Sequence, residues 1–304
     1  MARPGADFPR ESGTVAALLE WGTGRLRRTS GETAPLEAGV LLAHAAAIRR
    51  ERLMAHPEAR PGVLVARRYA AMVRRRYAGR VPVAYLTGEK EFAGLRFAVR
   101  PGVFIPRPET EGLLELVEDW LRPRLPLMAG SVIADSCTGS GVLGVSLACR
   151  LGVRVVATDR SPGAVALARR NARRLGVARL VRVLEGDLLE PLSVLAPLPA
   201  VAAVMSNPPY VNARLMRRLP REIRDHEPLN ALAGGRDGLA AAGRLLSQAA
   251  ACLEPGGLLA VEIGAEQRRG ILALLARGPW SGARVERDLA GRARYALAER
   301  KNTQ

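Results

Sequence analysis

Val132-Ile133-Ala134-Asp135-Ser136-Cys137-Thr138-Gly139-Ser140-Gly141 sets the fold class of this chain. Three apolar residues ahead of a glycine-rich turn read as a buried strand. Val142, Leu143, Val145 and Leu147 then supply a helix. Glycines at a strand-to-helix turn let a ligand approach the backbone at the helix N-terminus. A second strand, residues 153–158, delivers Asp159 at its end. The next helix has Ser161 as N-cap, Pro162 in the first turn and Gly176 as its stop. Val165, Ala168, Ala172 and Leu175 form its buried stripe. Residues 181–184 are a third strand running into Glu185-Gly186-Asp187-Leu188, and residues 201–205 a fourth running into Ser206-Asn207-Pro208-Pro209-Tyr210. Strands alternating with helices from residue 131 onward mark an α/β fold, a parallel sheet covered on both faces.

The turns at the strand ends carry the chemistry. Gly139-x-Gly141-x-x-Gly144 satisfies a dinucleotide fingerprint, and both a nicotinamide and a nucleoside cofactor are compatible with it. An acid at position 159 suits a ribose diol, because one carboxylate accepts from both hydroxyls. Asp187 with Leu188 beside it suits the edge and face of a purine. Each proline of Asn207-Pro208-Pro209 fixes its own φ, lacks an N–H and pushes the preceding residue out of the α region. The Asn207 side-chain oxygen and the Pro208 backbone oxygen can then converge on a planar NH2 group, each taking one N–H. Such a nitrogen has its lone pair tied up in conjugation, and two acceptors would offset positive charge as it attacks an electrophile. Tyr210 offers a flat face for that group. The glycine turn and the Asn-Pro-Pro-Tyr turn are expected to end neighbouring parallel strands, where ligand crevices form. A dehydrogenase has no use for the second turn, whereas methyl transfer to nitrogen does.

Residues up to about 80 read as helices. Residues 14–21 open one, Pro35 begins a second and Pro61 a third. His44 is expected to pack within the second. Leu95, Phe97 and Val99 alternate after Gly88 and Gly94, a β-hairpin pattern. In Ile105-Pro106-Arg107-Pro108-Glu109-Thr110-Glu111, two prolines stiffen a segment around Arg107 that serves equally as a lid or as a capped helix start. Towards the C-terminus come a helix over about 238–253, a strand over 258–263, a helix with Ile271, Leu274 and Leu275, and two short strands near Val285 and Tyr295.

A length of 304 residues holds one large or two modest domains, and 48% hydrophobic content argues against disorder. Without an 18-residue apolar run, and with no apolar signal core after Met1, a soluble cytoplasmic protein is expected. The net charge of +17 comes from 46 Lys and Arg, of which only Lys90 and Lys301 are lysine. That skew points first to codon bias and second to a polyanionic partner. Cys137, Cys149 and Cys252 lie far apart, as do His44, His56 and His226, so neither a metal nor a disulfide framework is implied.

Taken together, these motifs resemble the bacterial release-factor glutamine methyltransferases, a class I S-adenosylmethionine-dependent family. The likeness runs over nearly the whole chain. It includes Gly88-Glu89-Lys90-Glu91-Phe92, the Ile105–Glu111 segment, the glycine turn, Ser206-Asn207-Pro208-Pro209-Tyr210 and Asp288-Leu289-Ala290-Gly291-Arg292. The resemblance implies a Rossmann-like domain with a mostly parallel seven-stranded sheet over 105–304. A helical substrate-docking domain over 1–83 and a hairpin linker over 84–104 would precede it. It implies S-adenosylmethionine along Asp135 and Cys137, Thr138, Gly139, Ser140 and Gly141. The ribose would lie on Asp159 and the adenine near Asp187 and Leu188, with Asn207 bordering cofactor and substrate. The substrate amide would rest among Asn207, Pro208, Pro209 and Tyr210, with Arg107 also on the substrate side. In the family that substrate is the glutamine of the Gly-Gly-Gln loop of class 1 release factors; a monomer with no membrane contact and no stable nucleic-acid complex is expected. The family reads Leu and Gly where this chain has Ser136 and Cys137. Two alternatives are an adenine-N6 methyltransferase on DNA or RNA, which shares Asn-Pro-Pro-Tyr, and a non-catalytic translation-associated binding protein.

Overall fold

A computed structural model describes residues 13–127, 130–195 and 200–302. The N-terminal stretch after Met1 lies outside the described residues. Two compact units emerge, one ending at Gly88 and including Arg221–His226, the other formed by Glu89–Pro220 and Glu227–Gln304.

The smaller unit is helical: α1 (Val15–Ser30), α2 (Ala34–Ala46), α3 (Arg50–Ala55), α4 (Val63–Tyr77) and α5 (Val83–Thr87). Thr14 caps α1 by accepting from the Ala17 amide, and Pro35 sits in the first turn of α2. Leu18, Leu26, Leu41, Leu42, Leu53, Tyr69 and Val73 form the core. Within it Arg76 makes a two-pronged bond to Glu37, at 2.8 and 3.0 Å. His44 is a correction to the sequence reading: it is exposed, because the buried stripe of α2 passes through Ala38, Leu41, Leu42 and Ala45. The short helices α3 and α5 carry too few periodic positions to stand out in the sequence.

The larger unit opens with an antiparallel hairpin, β1 (Glu89–Phe92) and β2 (Leu95–Ala98). Helix α6 (Glu109–Leu121) follows, then β3 (Val132–Ser136), α7 (Val142–Leu151), β4 (Val155–Asp159), α8 (Pro162–Arg174) and β5 (Val181–Glu185). After β6 (Val201–Ser206) come the single turns α9 (Ala213–Met216) and, in the smaller unit, α10 (Arg221–Arg224). The chain ends with α11 (Ala240–Cys252), β7 (Leu253–Glu262), α12 (Arg268–Ala276), β8 (Trp280–Arg287) and β9 (Ala293–Arg300). Among the described residues the sheet has seven strands in the order β5-β4-β3-β6-β7-β9-β8. The first five run parallel, while β9 and β8 pair antiparallel. This is the mostly parallel Rossmann-like arrangement expected. The last two strands are eight residues each, longer than the apolar runs near Val285 and Tyr295 suggest.

The period-2 geometry of strands explains the layers. Ile133, Ala203, Met205 and Leu258 point to one face, covered by α6, α7, α8 and the hairpin residues Phe92 and Phe97. Val132, Ala134, Val204 and Leu259 point to the other, covered by α11 and α12. The chain moves outward from β3 through β4 to β5, then returns to β6 beside β3. That reversal is a topological switch point, and a crevice opens there at the carboxyl ends of the strands.

Gly144 lets α7 approach β3 and β4. A Cβ there would stand 2.8 Å from Val155 Cγ1 and 2.9 Å from Asp135 Oδ2. Gly144→Ala should therefore destabilise the protein by about 2 kcal/mol through overpacking, read as a lower urea midpoint at unchanged slope.

Candidate active site

The crevice holds a cavity of about 430 Å³, within the range of small-molecule sites. Its wall brings together residues from every strand end singled out in the sequence. Cys137, Thr138, Gly139 and Ser140 come from the β3 turn, Asp159 from β4, and Asp187 and Leu188 from the segment after β5. Asn207, Pro208, Pro209 and Tyr210 come from the end of β6. Asp135, Gly141 and Arg107 are not among the lining residues.

Asp135 holds the turn from behind. Fully buried, its Oδ2 accepts from Thr138 Oγ1 at 2.5 Å and from the Gly144 amide at 2.9 Å, while Oδ1 has no partner among the described residues. Burial pushes its carboxyl up to about 7; the two hydrogen bonds pull the other way, and the charge of Asp159 adds to the rise. Gly141 takes φ 86°, where an added Cβ would come within 3.2 Å of Ala168. Cys137 also has a positive φ, 58°. Burial and the Asp159 carboxylate push its thiol up to about 12, so it presents a neutral S–H.

Asp159 uses each oxygen once, Oδ2 for the Gly139 amide and Oδ1 for the Ser161 amide, both at 2.9 Å. The lone pairs left over remain able to accept from hydroxyls. Asp187 is engaged by Arg244, a lining residue absent from the sequence reading. Thr158 Oγ1 donates to the Leu188 carbonyl at 2.5 Å, holding Leu188 at φ 48° with its side chain buried.

On the β6 side of the cavity, Asn207 Nδ2 donates to Thr110 Oγ1 at 3.1 Å. Thr110 donates to Glu262 Oε2 at 2.7 Å, and Tyr210 donates to Glu262 Oε1 at 3.1 Å. Glu262 is fully buried at the end of β7. Burial raises its carboxyl above the ordinary range, against the two hydroxyl donors and the charge of Arg294. Sequence reasoning missed Thr110 and Glu262. The available signal was a single acid closing an apolar strand on the same sheet edge as the two motifs. Arg107, not itself a lining residue, is paired with buried Glu227 at 2.5 Å and stacked 4.7 Å over Phe104, which does line the cavity. Glu227 also accepts from the Ile105 amide, so the stiff segment is tied to the loop that carries Glu227.

The family described as the PrmC N-terminal domain matches residues 17–88, and Conserved hypothetical protein 95 matches residues 91–233. The release factor glutamine methyltransferase of Moorella thermoacetica is 43% identical over 290 residues, 95% of this chain and 99% of the relative. The chain belongs to the release factor glutamine methyltransferase family. The protein of that name from Mycolicibacterium smegmatis is 37% identical over 94% of this chain and 98% of its own length. Among solved structures, the catalytic domain of hMettl16 in complex with a MAT2A 3'UTR hairpin superposes with a TM-score of 0.54. At 14% identity, over 79% of this chain and 82% of that one, it shares the fold alone.

In this family member the raised Asp135 carboxyl should make stability pH-dependent. Its folded value lies above the unfolded value of about 3.9, so the protonated form favours folding. That contribution is complete below about pH 4 and is lost as the pH rises through about 7. The urea midpoint of the wild type should fall between about pH 4 and pH 8, and Asp135→Asn should make that fall smaller, the raised Asp159 and Glu262 carboxyls supplying the remainder. Equal pH profiles for both proteins would assign the dependence to another group.

Proposed function

We propose that this protein transfers a methyl group from S-adenosylmethionine to the side-chain amide nitrogen, N5, of a glutamine. The substrate residue is the glutamine of the Gly-Gly-Gln motif in class 1 peptide chain release factors. Supporting this are the names of its relatives and one observation: the Asn207 end and the glycine-turn end open into a single cavity.

The wall fits S-adenosylmethionine in its chemistry. A Cβ at Gly139 would meet nothing within 4 Å, so the backbone there faces open space. Ser140 Oγ lacks a partner among the described residues, and Asp159 keeps lone pairs for a ribose diol. Cys137, Thr138, Gly139 and Ser140 would hold the methionine part, and Leu188 with Asp187 the adenine. Asp135 and Gly141 would support that cradle from outside the wall. When bound, S-adenosylmethionine supplies an electrophilic methyl on a sulfonium.

The chain's own residues orient the nucleophile. Asn207 Nδ2 is committed to Thr110, which leaves Oδ1 to accept one N–H of the glutamine amide. The Pro208 carbonyl accepts the other, in a stretch where Pro208 and Pro209 contribute no competing N–H. Tyr210, tethered through its hydroxyl to Glu262, offers a flat face to the planar amide. Two acceptors stabilise charge developing on nitrogen, so no strong base is needed before attack. Alignment of the two reactants supplies most of the acceleration. The N-terminal helices, residues 1–83, would dock the release factor as a unit distinct from the transferring domain over 105–304. The enzyme would work as a cytoplasmic monomer.

Asn207→Ala should lower kcat at least about a hundredfold while S-adenosylmethionine binding, measured by calorimetry, stays within about threefold of wild type. Mass spectrometry of the Gly-Gly-Gln peptide reads the product, with DNA and RNA as parallel substrates. Methyl incorporation into nucleic acid but not into the release factor would overturn the proposal in favour of adenine methylation.

A further inference from the structure

Building on the transfer site proposed above, we infer that Glu262 and Thr110 are positioning residues that choose which way the Asn207 amide faces. A carboxylate offers lone pairs and no hydrogen. Glu262 therefore fixes the only hydrogen of the Thr110 hydroxyl, which points at Oε2 across 2.7 Å. The Thr110 oxygen is left able to accept but not to donate. The Asn207 terminal atom 3.1 Å from it must then be the NH2 group, and Oδ1 is left without a partner among the described residues, on a residue that lines the cavity.

The orientation matters because the two ends of an amide are opposite in hydrogen-bond character and nearly equal in size. With Oδ1 inward, Asn207 is an acceptor and matches an incoming NH2. With Nδ2 inward, two donors would face each other and the substrate nitrogen would be repelled. A single buried carboxyl group, accepting from a hydroxyl on each oxygen, thus fixes the hydrogen-bond polarity of the site through Thr110. Burial restricts exchange with water: Glu262 is fully buried and Thr110 is 2% exposed. Glu262 holds Tyr210 with its other oxygen, so the acceptor edge and the flat face share one anchor.

The test compares Thr110→Val, Thr110→Ser and Glu262→Gln with wild type and with Asn207→Ala, using intact protein and release factor. Thr110→Val keeps the shape and removes the hydroxyl, and Thr110→Ser keeps the hydroxyl. The amide of Glu262→Gln has one accepting oxygen for two hydroxyls. Thr110→Val and Glu262→Gln should each lower kcat about tenfold or more, with KM for the release factor moving less than about threefold. Thr110→Ser should stay within about threefold of wild type. The double variant Thr110→Val with Glu262→Gln should be little worse than either single change, because both break one chain of bonds. Urea midpoints and S-adenosylmethionine binding confirm that each variant is folded. Wild-type turnover by Thr110→Val, or an equal loss in Thr110→Ser, would overturn the relay. An active Asn207→Ala protein would instead overturn the transfer site itself, so the two failures are distinguishable.

Discussion

Everything at the cavity depends on how β3 and β6 pair. Ser136 lies opposite Ser206 in the parallel register, and Ser206 Oγ donates to the Ser136 carbonyl at 2.7 Å. Because the last residues of both strands are level, Cys137 and Asn207 leave the sheet side by side. Side chains alternate faces along a strand, so a slip of one residue would move Ala203 and Met205 to the opposite layer. Both layers are buried, and the register is correspondingly well specified. The irregularity in the pairing sits at the far end, between Val132 and Ile133, where it leaves the functional ends aligned.

Around that paired edge the protein buries carboxyl groups that water would ordinarily hold. Asp135 and Glu262 are fully buried, Asp159 is half-buried, and burial raises all three above the ordinary carboxyl range. Each is tolerated because named donors meet it: Thr138 and Gly144 at Asp135, Gly139 and Ser161 at Asp159, Thr110 and Tyr210 at Glu262. Removing a donor would strand a buried acceptor, which costs more than the bond itself is worth on balance. These acids act on backbone amides and hydroxyls, so they shape the cavity wall by fixing turns and orienting neighbours.

The parts of the fold that follow a strict period were legible in the sequence. The β3 turn, the capped α8 and the apolar run into Asn207 each carry their own signal: glycines, an N-cap with proline, and two prolines after a strand. The adjacency of β3 and β6 followed from the rule for open sheets. What escaped was long-range polar pairing. Thr110 sits in a segment read for its prolines and arginine, and nothing local says that its hydroxyl meets Glu262, 152 positions away. Arg244 meets Asp187 across 57 positions in the same fashion. Arg107 drew attention as a charged residue in a stiff loop, and its pairing with Glu227, 120 positions away, was equally silent in the sequence. Hydrophobic periodicity reports which face of an element is buried; it is silent on which donor an isolated buried acid will find.

Cys137 shows that the shape of the glycine turn is imposed by its flanks. A left-handed backbone costs a non-glycine residue roughly 1–2 kcal/mol, and Cys137 adopts φ 58° nonetheless. On one side β3 holds Ser136 in register. On the other, the Thr138 amide donates to the Thr158 carbonyl at 3.0 Å and its hydroxyl to Asp135. Between two such anchors the intervening residue has little conformational choice, whatever its side chain. Gly141 is different: its φ is positive, and a Cβ would press on Ala168 and Val145 as well. Cys137 thus carries the cost of a left-handed backbone, whereas a side chain at 141 would add crowding between α7 and α8 to the same cost.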